Sequence, residues 1–332
     1  MATPSDEGAN LSYPLDEKLV VGVASSALFD LAASDAHFRA KGEASYRIYQ
    51  EQHLDEILQP GVAFPFIQRL LSLNDLADDG KALVEVIILS RNDPNTGLRV
   101  MRSVEAHGLS ISRAIFMQGR SPYRFMEGLN MSLFLSASES DVREAIDLGF
   151  PAGRVMGLPA AEQDGNDLRI AFDFDGVLAD DSSERVMQEG GLAAFHAHET
   201  EKAVIPIAEG SLSRFLRAIN RIQTIEEGLF GEDPSYNRRV HVSIVTARNA
   251  PSHERVVHTL KSWGVQVNDA FFLGGIEKAR ILRILRPHIF FDDQIGHLEA
   301  AADEVPSVHV PFGVTNKAPE TVGPVSPQRP NP

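Results

Sequence analysis

Short apolar runs of strand length alternate with helical patterns along most of this chain, and few folds accommodate that alternation. In the second half the strand-like runs are "LRIAFDFDGVL" (168–178), "VHVSIVTARN" (240–249), "AFFLGG" (270–275), "HIFFDD" (288–293) and "SVHVPFG" (307–313). Helical patterns separate most of them: "SHERVVHTLKSWG" (252–264), "EKARILRILR" (277–286) and "IGHLEAAADE" (295–304). Strands that alternate with helices predict a mostly parallel sheet covered on both faces. The interval 182–239 breaks the rhythm. It is mainly helical and reads as a cap inserted over the carboxyl end of the sheet.

The first half repeats the plan. "HGLSISRAIFMQG" (107–119) aligns with "WGVQVNDAFFLGG" (263–275), so that Gly108, Ala114, Phe116 and Gly119 meet Gly264, Ala270, Phe272 and Gly275 at one constant offset. The same offset carries Arg124 to Arg280 and Phe134 to Phe290. Upstream, "SRNDP" (90–94) meets "ARNAP" (247–251) after a slip of one residue, and "VVGVASSALFD" (20–30) lies opposite "RIAFDFDGVLA" (169–179). This pattern reads as an internal duplication of one α/β unit. The expected organisation is a lead (1–17) and a Pro-rich tail (316–332), both disordered, an α/β unit at 18–160, and a second at 168–315 carrying the insert.

Composition narrows the partners. The chain has 332 residues, a formal net charge of -15 and no cysteine. A surplus of acid argues against nucleic acid polymers and anionic membranes as partners. The lack of cysteine excludes disulfides and thiolate metal sites. No run approaches the roughly 18 apolar residues of a membrane span, and no secretory signal is legible, so a cytoplasmic protein is expected.

Chemistry concentrates where the strands of the second half end. Asp173 and Asp175 follow the first strand, Thr246 the second, and Asp292 and Asp293 the fourth, while Lys278 opens the helix after the third. Parallel strands end on one edge, and ligands bind in the crevice there. Carboxylates, a hydroxyl and a lysine would converge, a set that fits metal-assisted phosphoryl transfer. Mg²⁺ with oxygen ligands neutralises a carboxylate against an anionic phosphate. Lys278, Thr246 and loop N–H groups supply charge and donors to the phosphoryl oxygens. The second Asp of D-x-D can protonate a poor leaving group, and Gly176 permits close backbone approach. Arg248 follows Thr246 and is a further candidate for phosphate, with pairing to a surface acid as the alternative. A lone D-x-D has little specificity. D-x-D-G-V followed in order by strand-Thr, Lys and strand-Asp-Asp has much more.

This ordered set resembles the haloacid dehalogenase superfamily of phosphohydrolases. The stretches "VVGVASSALFDL", "LSRNDPNTGLRV", "SPYRF", "LFLSASESDVREAID", "VTARNAPSHERVVHTLKSWG" and "LRPHIFFDDQIGH" together resemble the cytosolic 5'-nucleotidase I family over roughly residues 19–313. The resemblance implies a haloacid-dehalogenase-like Rossmannoid sheet with a helical cap, preceded by a related, catalytically empty α/β domain. It implies hydrolysis of nucleoside 5'-monophosphates with Mg²⁺. Asp173 would be the nucleophile that forms an aspartyl-phosphate, and Asp175 the acid and then the base. Asp173, Asp292 and the Asp175 carbonyl would hold the metal, and Thr246 and Lys278 the phosphate. A homo-oligomer is compatible with this reading.

Opposite those residues the first half has Ala24, Ser26, Pro122, Ser136 and Ala137. It is expected to be inactive, serving as a packing and dimerisation partner or as an effector or substrate-binding half. Arg91, Asn92 and the "NDPNTG" loop are its best candidates for anion contact. His196 and His198, beside Glu199, admit a second metal site, but ordinary surface or packing roles are the simpler reading. Phe195 admits base stacking or a core role. Trp263 and Phe272 read as core. Two other functions compete with the leading one: a phosphatase of sugar or cofactor phosphates, since caps diverge easily, and a nucleotide-binding regulator with vestigial hydrolysis.

Overall fold

A computed structural model describes residues 13–77, 81–160, 165–313 and 316. Its strands are β1 (Leu19–Val23), β2 (Val84–Ser90), β3 (Arg113–Phe116), β4 (Leu133–Ser136), β5 (Ala152–Met156), β6 (Leu168–Phe172), β7 (Val240–Thr246), β8 (Asp269–Phe272), β9 (Ile289–Asp292) and β10 (Ser307–His309). They form one 10-stranded sheet in the order β3-β2-β1-β4-β5-β10-β9-β6-β7-β8. Every neighbouring pair is parallel except β5 with β10, which is antiparallel. Read inward from either edge the order is the same, so two like halves meet at the β5/β10 seam. The strands between the edges are buried along nearly their whole length, as in "LVVGV" of β1. That explains their near-continuous apolar runs: a parallel sheet covered on both faces has no polar side.

The helices are α1 (Ser25–Leu28), α2 (Ala32–Gln52), α3 (Phe64–Ser72), α4 (Pro94–Ala106), α5 (Glu139–Asp147), α6 (Ser182–Glu201), α7 (Ser213–Glu232), α8 (His253–Trp263), α9 (Lys278–Leu285) and α10 (Ile295–Ala301). Their ends follow ordinary rules. Asp93 caps α4 by accepting from the Asn95 and Thr96 N–H groups at 2.9 and 3.2 Å, with Pro94 in the first turn. Gly264 stops α8 with φ 67°. On one face of the sheet α3 and α7 bury Phe66, Ile67, Phe215 and Leu216 in a core shared by both halves. There Phe172 stacks on Phe291 at 5.1 Å. The other face carries a separate core in each half, around Phe134 in the first and Phe290 in the second.

Two helices fold back on themselves. Gly191 has φ 71° and ψ -176° inside α6, and Gly42 has φ 74° and ψ -179° inside α2. A straight helix rises about 1.5 Å per residue and would hold Ser183 far from Glu199. Instead Ser183 Oγ donates to Glu199 Oε1 at 3.0 Å. Each of these segments is therefore a helical hairpin that turns at a glycine, where a left-handed φ is cheap. Within 182–239 only the α6 hairpin overhangs the carboxyl edge. α7 lies on the sheet face, in the place that α3 takes in the first half.

Of the expected lead, residues 1–12 fall outside the described residues, but Tyr13 is tied down. Its hydroxyl donates to Glu85 at 2.7 Å, and Arg113 covers its ring. Of the tail, 317–332 fall outside the described residues. Asn316 donates to the Asp293 carbonyl at 2.9 Å.

Candidate active site

The carboxyl edge of the second half gathers the residues that the sequence singles out. Asp173 follows β6, and its N–H donates to the Phe291 carbonyl of β9 at 2.8 Å. Its Oδ1 accepts from the Phe174 N–H at 2.7 Å. Lys278, in the first turn of α9, places Nζ 2.9 Å from Asp173 Oδ2 and 2.7 Å from Asp292 Oδ2. The other oxygen of Asp292 accepts from the Gln294 N–H at 2.8 Å. His297 Nδ1 stands 3.2 Å from Asp292 Oδ2. Thr246 ends β7, and its Oγ1 accepts from the Arg248 N–H at 3.3 Å.

Gly176 sits beneath this cluster with φ 72°. A Cβ there would lie 2.6 Å from the Asp293 carboxyl. Asp293 is thus packed under the loop rather than facing the cluster's open side. His309 and Asn316 hold its carbonyl.

The electrostatics are those of two buried carboxylates sharing one ammonium. Burial pushes the Asp173 carboxyl up to about 7; Lys278 opposes the rise, while the charges of Asp292 and Asp175 add to it. Burial also disfavours ionised Asp292, but Lys278 and His297 outweigh it and hold that carboxyl below its ordinary range. Burial disfavours the Lys278 ammonium, yet the two aspartates outweigh it and raise its proton affinity. A buried carboxyl driven upward even beside a lysine marks a site where negative charge is crowded. Asp173, Asp292 and His297 offer ligand atoms within 4.8 Å of one another. That mostly oxygen donor set fits a hard divalent cation.

Asp175 is held differently. Arg248 grips it with two hydrogen bonds of 2.7 Å, from Nε and Nη2. Arg248 is buried, and its Nη1 also donates to Glu199. Burial alone would weaken the guanidinium's hold on its proton; Asp175 and Glu199 outweigh it and raise the pKa. Arg248 therefore lines the site while being engaged chiefly by the second aspartate. Asp173, Asp175, Thr246 and Arg248 open into one cavity of about 120 Å³, with Glu184, Met187, Leu192 and Phe195 of the α6 hairpin forming its other wall. Lys278 and Asp292 lie behind it. A larger cavity, about 690 Å³, opens beside α7 and the end of α8 and contains none of these residues.

His198 pairs with Glu199 at 2.9 Å, and the Phe195 and His196 rings are 5.8 Å apart. Neither histidine belongs to the metal-spaced group found among the described residues. Sequence reasoning missed His297, although it ends the quoted "FFDDQIGH" stretch. It also missed Arg255 and the importance of Glu199, whose arginine partners are remote in sequence.

The first half shows what stands opposite. Ser90 pairs with Phe116 as Thr246 pairs with Phe272. Gln118 N–H donates to the Asn92 carbonyl as Gly274 N–H donates to that of Arg248. At this turn the backbones align without the expected one-residue slip, and Asn92 is the counterpart of Arg248. Arg91 is engaged by Asp141 at 2.9 Å and by Glu144.

Comparison with known proteins gives the family. The family model described as 5'-nucleotidase matches residues 11–317. Human cytosolic 5'-nucleotidase 1B is 32% identical over 289 residues, which is 85% of this chain and 47% of that protein. The chain thus spans about half the length of this curated relative. On the strength of the family match across nearly all described residues, the chain belongs to the cytosolic 5'-nucleotidase I family, a family of phosphoric monoester hydrolases.

Proposed function

We propose that the protein hydrolyses nucleoside 5'-monophosphates to nucleoside and phosphate through an aspartyl-phosphate on Asp173. The observation that carries this reading is the meeting of Asp173, Asp292 and Lys278 within hydrogen-bond reach at the end of a parallel sheet, with Thr246 and Asp175 opening into the same cavity. Asp173 is buried, with one carboxylate oxygen held by the Phe174 N–H and the other by Lys278, so the carboxylate's orientation is fixed. It would attack phosphorus as the bond to the 5'-oxygen breaks. Asp175 would give that oxygen its proton and the nucleoside would leave. A water would then attack the phosphorus of the acyl phosphate as its bond to the Asp173 oxygen breaks, with Asp175 taking the water's proton, so that phosphate leaves and the Asp173 carboxylate is restored.

Lys278 and Thr246 would hold the phosphoryl oxygens. Mg²⁺ would be held by Asp173, Asp292 and the Asp175 carbonyl. When bound it would supply the positive charge that the two carboxylates lack and lower the charge on the phosphate. Arg248 would act at the phosphate side chiefly through Asp175. The apolar wall of Met187, Leu192 and Phe195 suits a flat base, and an aromatic ring offers it a stacking face. A cytosolic location, as in the relative's name, belongs to the same proposal. No helix among the described residues is long and apolar enough to cross a membrane.

The test is phosphate release from ribo- and deoxyribonucleoside monophosphates, sugar phosphates and an aryl phosphate, with Mg²⁺ and after chelation. Release that is strongest for one nucleotide and lost with chelator is the expected result. Metal-dependent release from sugar phosphates alone would keep the chemistry and discard the substrate. Equal release with and without metal would contradict the role given to Mg²⁺.

A further inference from the structure

We infer that Glu199 and Arg248 form a buried positioning relay that fixes Asp175 for proton transfer and ties it to the base of the α6 hairpin. The inference rests on the role proposed above for Asp175.

Glu199 is fully buried. It accepts from Ser183 Oγ at 3.0 Å and from Arg255 Nη1 at 2.8 Å, and it pairs with Arg248 Nη1. Arg255 in turn donates from Nε to the Ile205 carbonyl at 2.9 Å. Charges therefore alternate from Asp175 through Arg248 and Glu199 to Arg255. Each buried charge has an opposite neighbour, as burial requires.

The first half supplies an internal control, because it keeps the hairpin and lacks the chemistry. Gln50 stands opposite Glu199, Ser34 opposite Ser183 and Arg99 opposite Arg255. Arg99 Nη1 donates to Gln50 Oε1 at 3.1 Å, and Arg99 Nε donates to the Glu56 carbonyl at 3.0 Å. The geometry matches that of Arg255 with Glu199 and Ile205. Arg99 Nη2 also lies 3.8 Å from the exposed Glu56 carboxylate, so the arginine keeps an acid outside the core while the buried position opposite Glu199 is filled by a neutral Gln. The charge on Glu199 appears only in the half that also has Arg248 and Asp175; their counterparts are Asn92 and Ser26. Architecture accounts for an amide at this position. The carboxylate is accounted for by Arg248, and Arg248 by Asp175.

A proton donor matters most when the leaving group is a poor one. Substrates would be a nucleoside 5'-monophosphate and the 5'-phosphorothiolate of the same nucleoside, whose P–S bond breaks to release a thiolate that needs no proton. The parameter is kcat/KM, which covers steps up to departure of the leaving group. Glu199→Gln copies the residue of the other half. The double variant Glu199→Gln, Arg248→Asn copies its whole pattern without leaving a new unpaired arginine. Asp175→Asn calibrates the response.

We expect all three variants to lose about tenfold or more on the oxygen ester and much less on the thiolate. If Asp175→Asn discriminates between the substrates and the Glu199 variants lose equally on both, or lose nothing, the relay is wrong and the acid role stands. If Asp175→Asn does not discriminate, the acid role is wrong and the relay falls with it.

Discussion

Where β6 runs into Asp173, Asp175 and Gly176, β1 runs into Ala24, Ser26 and Ala27. The backbones on either side agree closely. Ala24 N–H donates to the Leu135 carbonyl at 2.8 Å, as Asp173 N–H donates to that of Phe291. Beyond that point they part. Ser25–Leu28 closes into the short helix α1, whereas 174–179 stays a loop held open by Gly176 at φ 72°. Further around the edge Lys278 has Pro122 as its counterpart, Asp292 has Ser136, and Arg248 has Asn92. The charges are present or missing as a set. Their coupling explains this: two buried carboxylates without a cation, or a buried lysine without carboxylates, would each cost several kcal/mol. Only complete or empty versions of the site are cheap to fold.

That contrast can be tested by moving residues across it. The largest effect should come from Lys278→Met, which leaves Asp173 and Asp292 with no ammonium between them. Turnover should fall at least about a hundredfold, measured as phosphate release at saturating substrate. Protection of the fold by Mg²⁺, read as a thermal shift, should grow. Conversely, Ala24→Asp with Ser26→Asp should create no activity, because the lysine, the second carboxylate and the arginine are still missing.

A middle effect is expected at the turn. Gly176→Ala puts a Cβ on a left-handed residue and 2.6 Å from the Asp293 carboxyl. It should destabilise the fold by at least about 1–2 kcal/mol and lower turnover. Ala27→Gly, its mirror in the first half, should cost about 1–2 kcal/mol from helix propensity and the loss of a buried methyl group and leave turnover unchanged. Urea midpoints and rates on the two variants decide this.

The smallest effect should be at the amino edge. His288 is buried opposite Ser132, and its Nδ1 accepts from the Arg169 N–H at 2.9 Å. Burial, with Arg69 and Arg169 nearby, lowers its pKa to about 3, below the ordinary 6.5. The unfolded chain takes up that proton first. The stability that His288 provides is therefore whole above pH 6.5 and is lost as the pH falls toward 3. His288→Ser, which writes in the residue of the other half, should show a smaller drop in urea midpoint between pH 7 and pH 5 than the parent chain.

Much of this was legible in the chain. The strand-ending polar residues and the matched glycines of the two halves give the sheet and the site, because strand ends share an edge and Gly264 and Gly275 occupy left-handed positions that their neighbours cannot take cheaply. Three things were not legible. The hairpins of α2 and α6 look like continuous helix, since periodicity does not register a single φ reversal at Gly42 or Gly191. The joining of both halves into one sheet depends on β5 and β10, whose short antiparallel pairing leaves no pattern. The ion chain through Glu199 links residues far apart in sequence, so nothing local marks it. His297 was in view within its motif, and it was overlooked because the neighbouring aspartates already accounted for that stretch.

The central claim is that one edge of this sheet, and one aspartate on it, performs the chemistry. The most direct measurement is phosphate release by Asp173→Asn in the full chain, with Mg²⁺ and the best nucleoside monophosphate, beside a melting curve that confirms the fold. The prediction is a loss of at least about ten-thousandfold with the melting transition retained, since removing a catalytic nucleophile has effects of that order. Turnover within about tenfold of the parent chain would contradict the account.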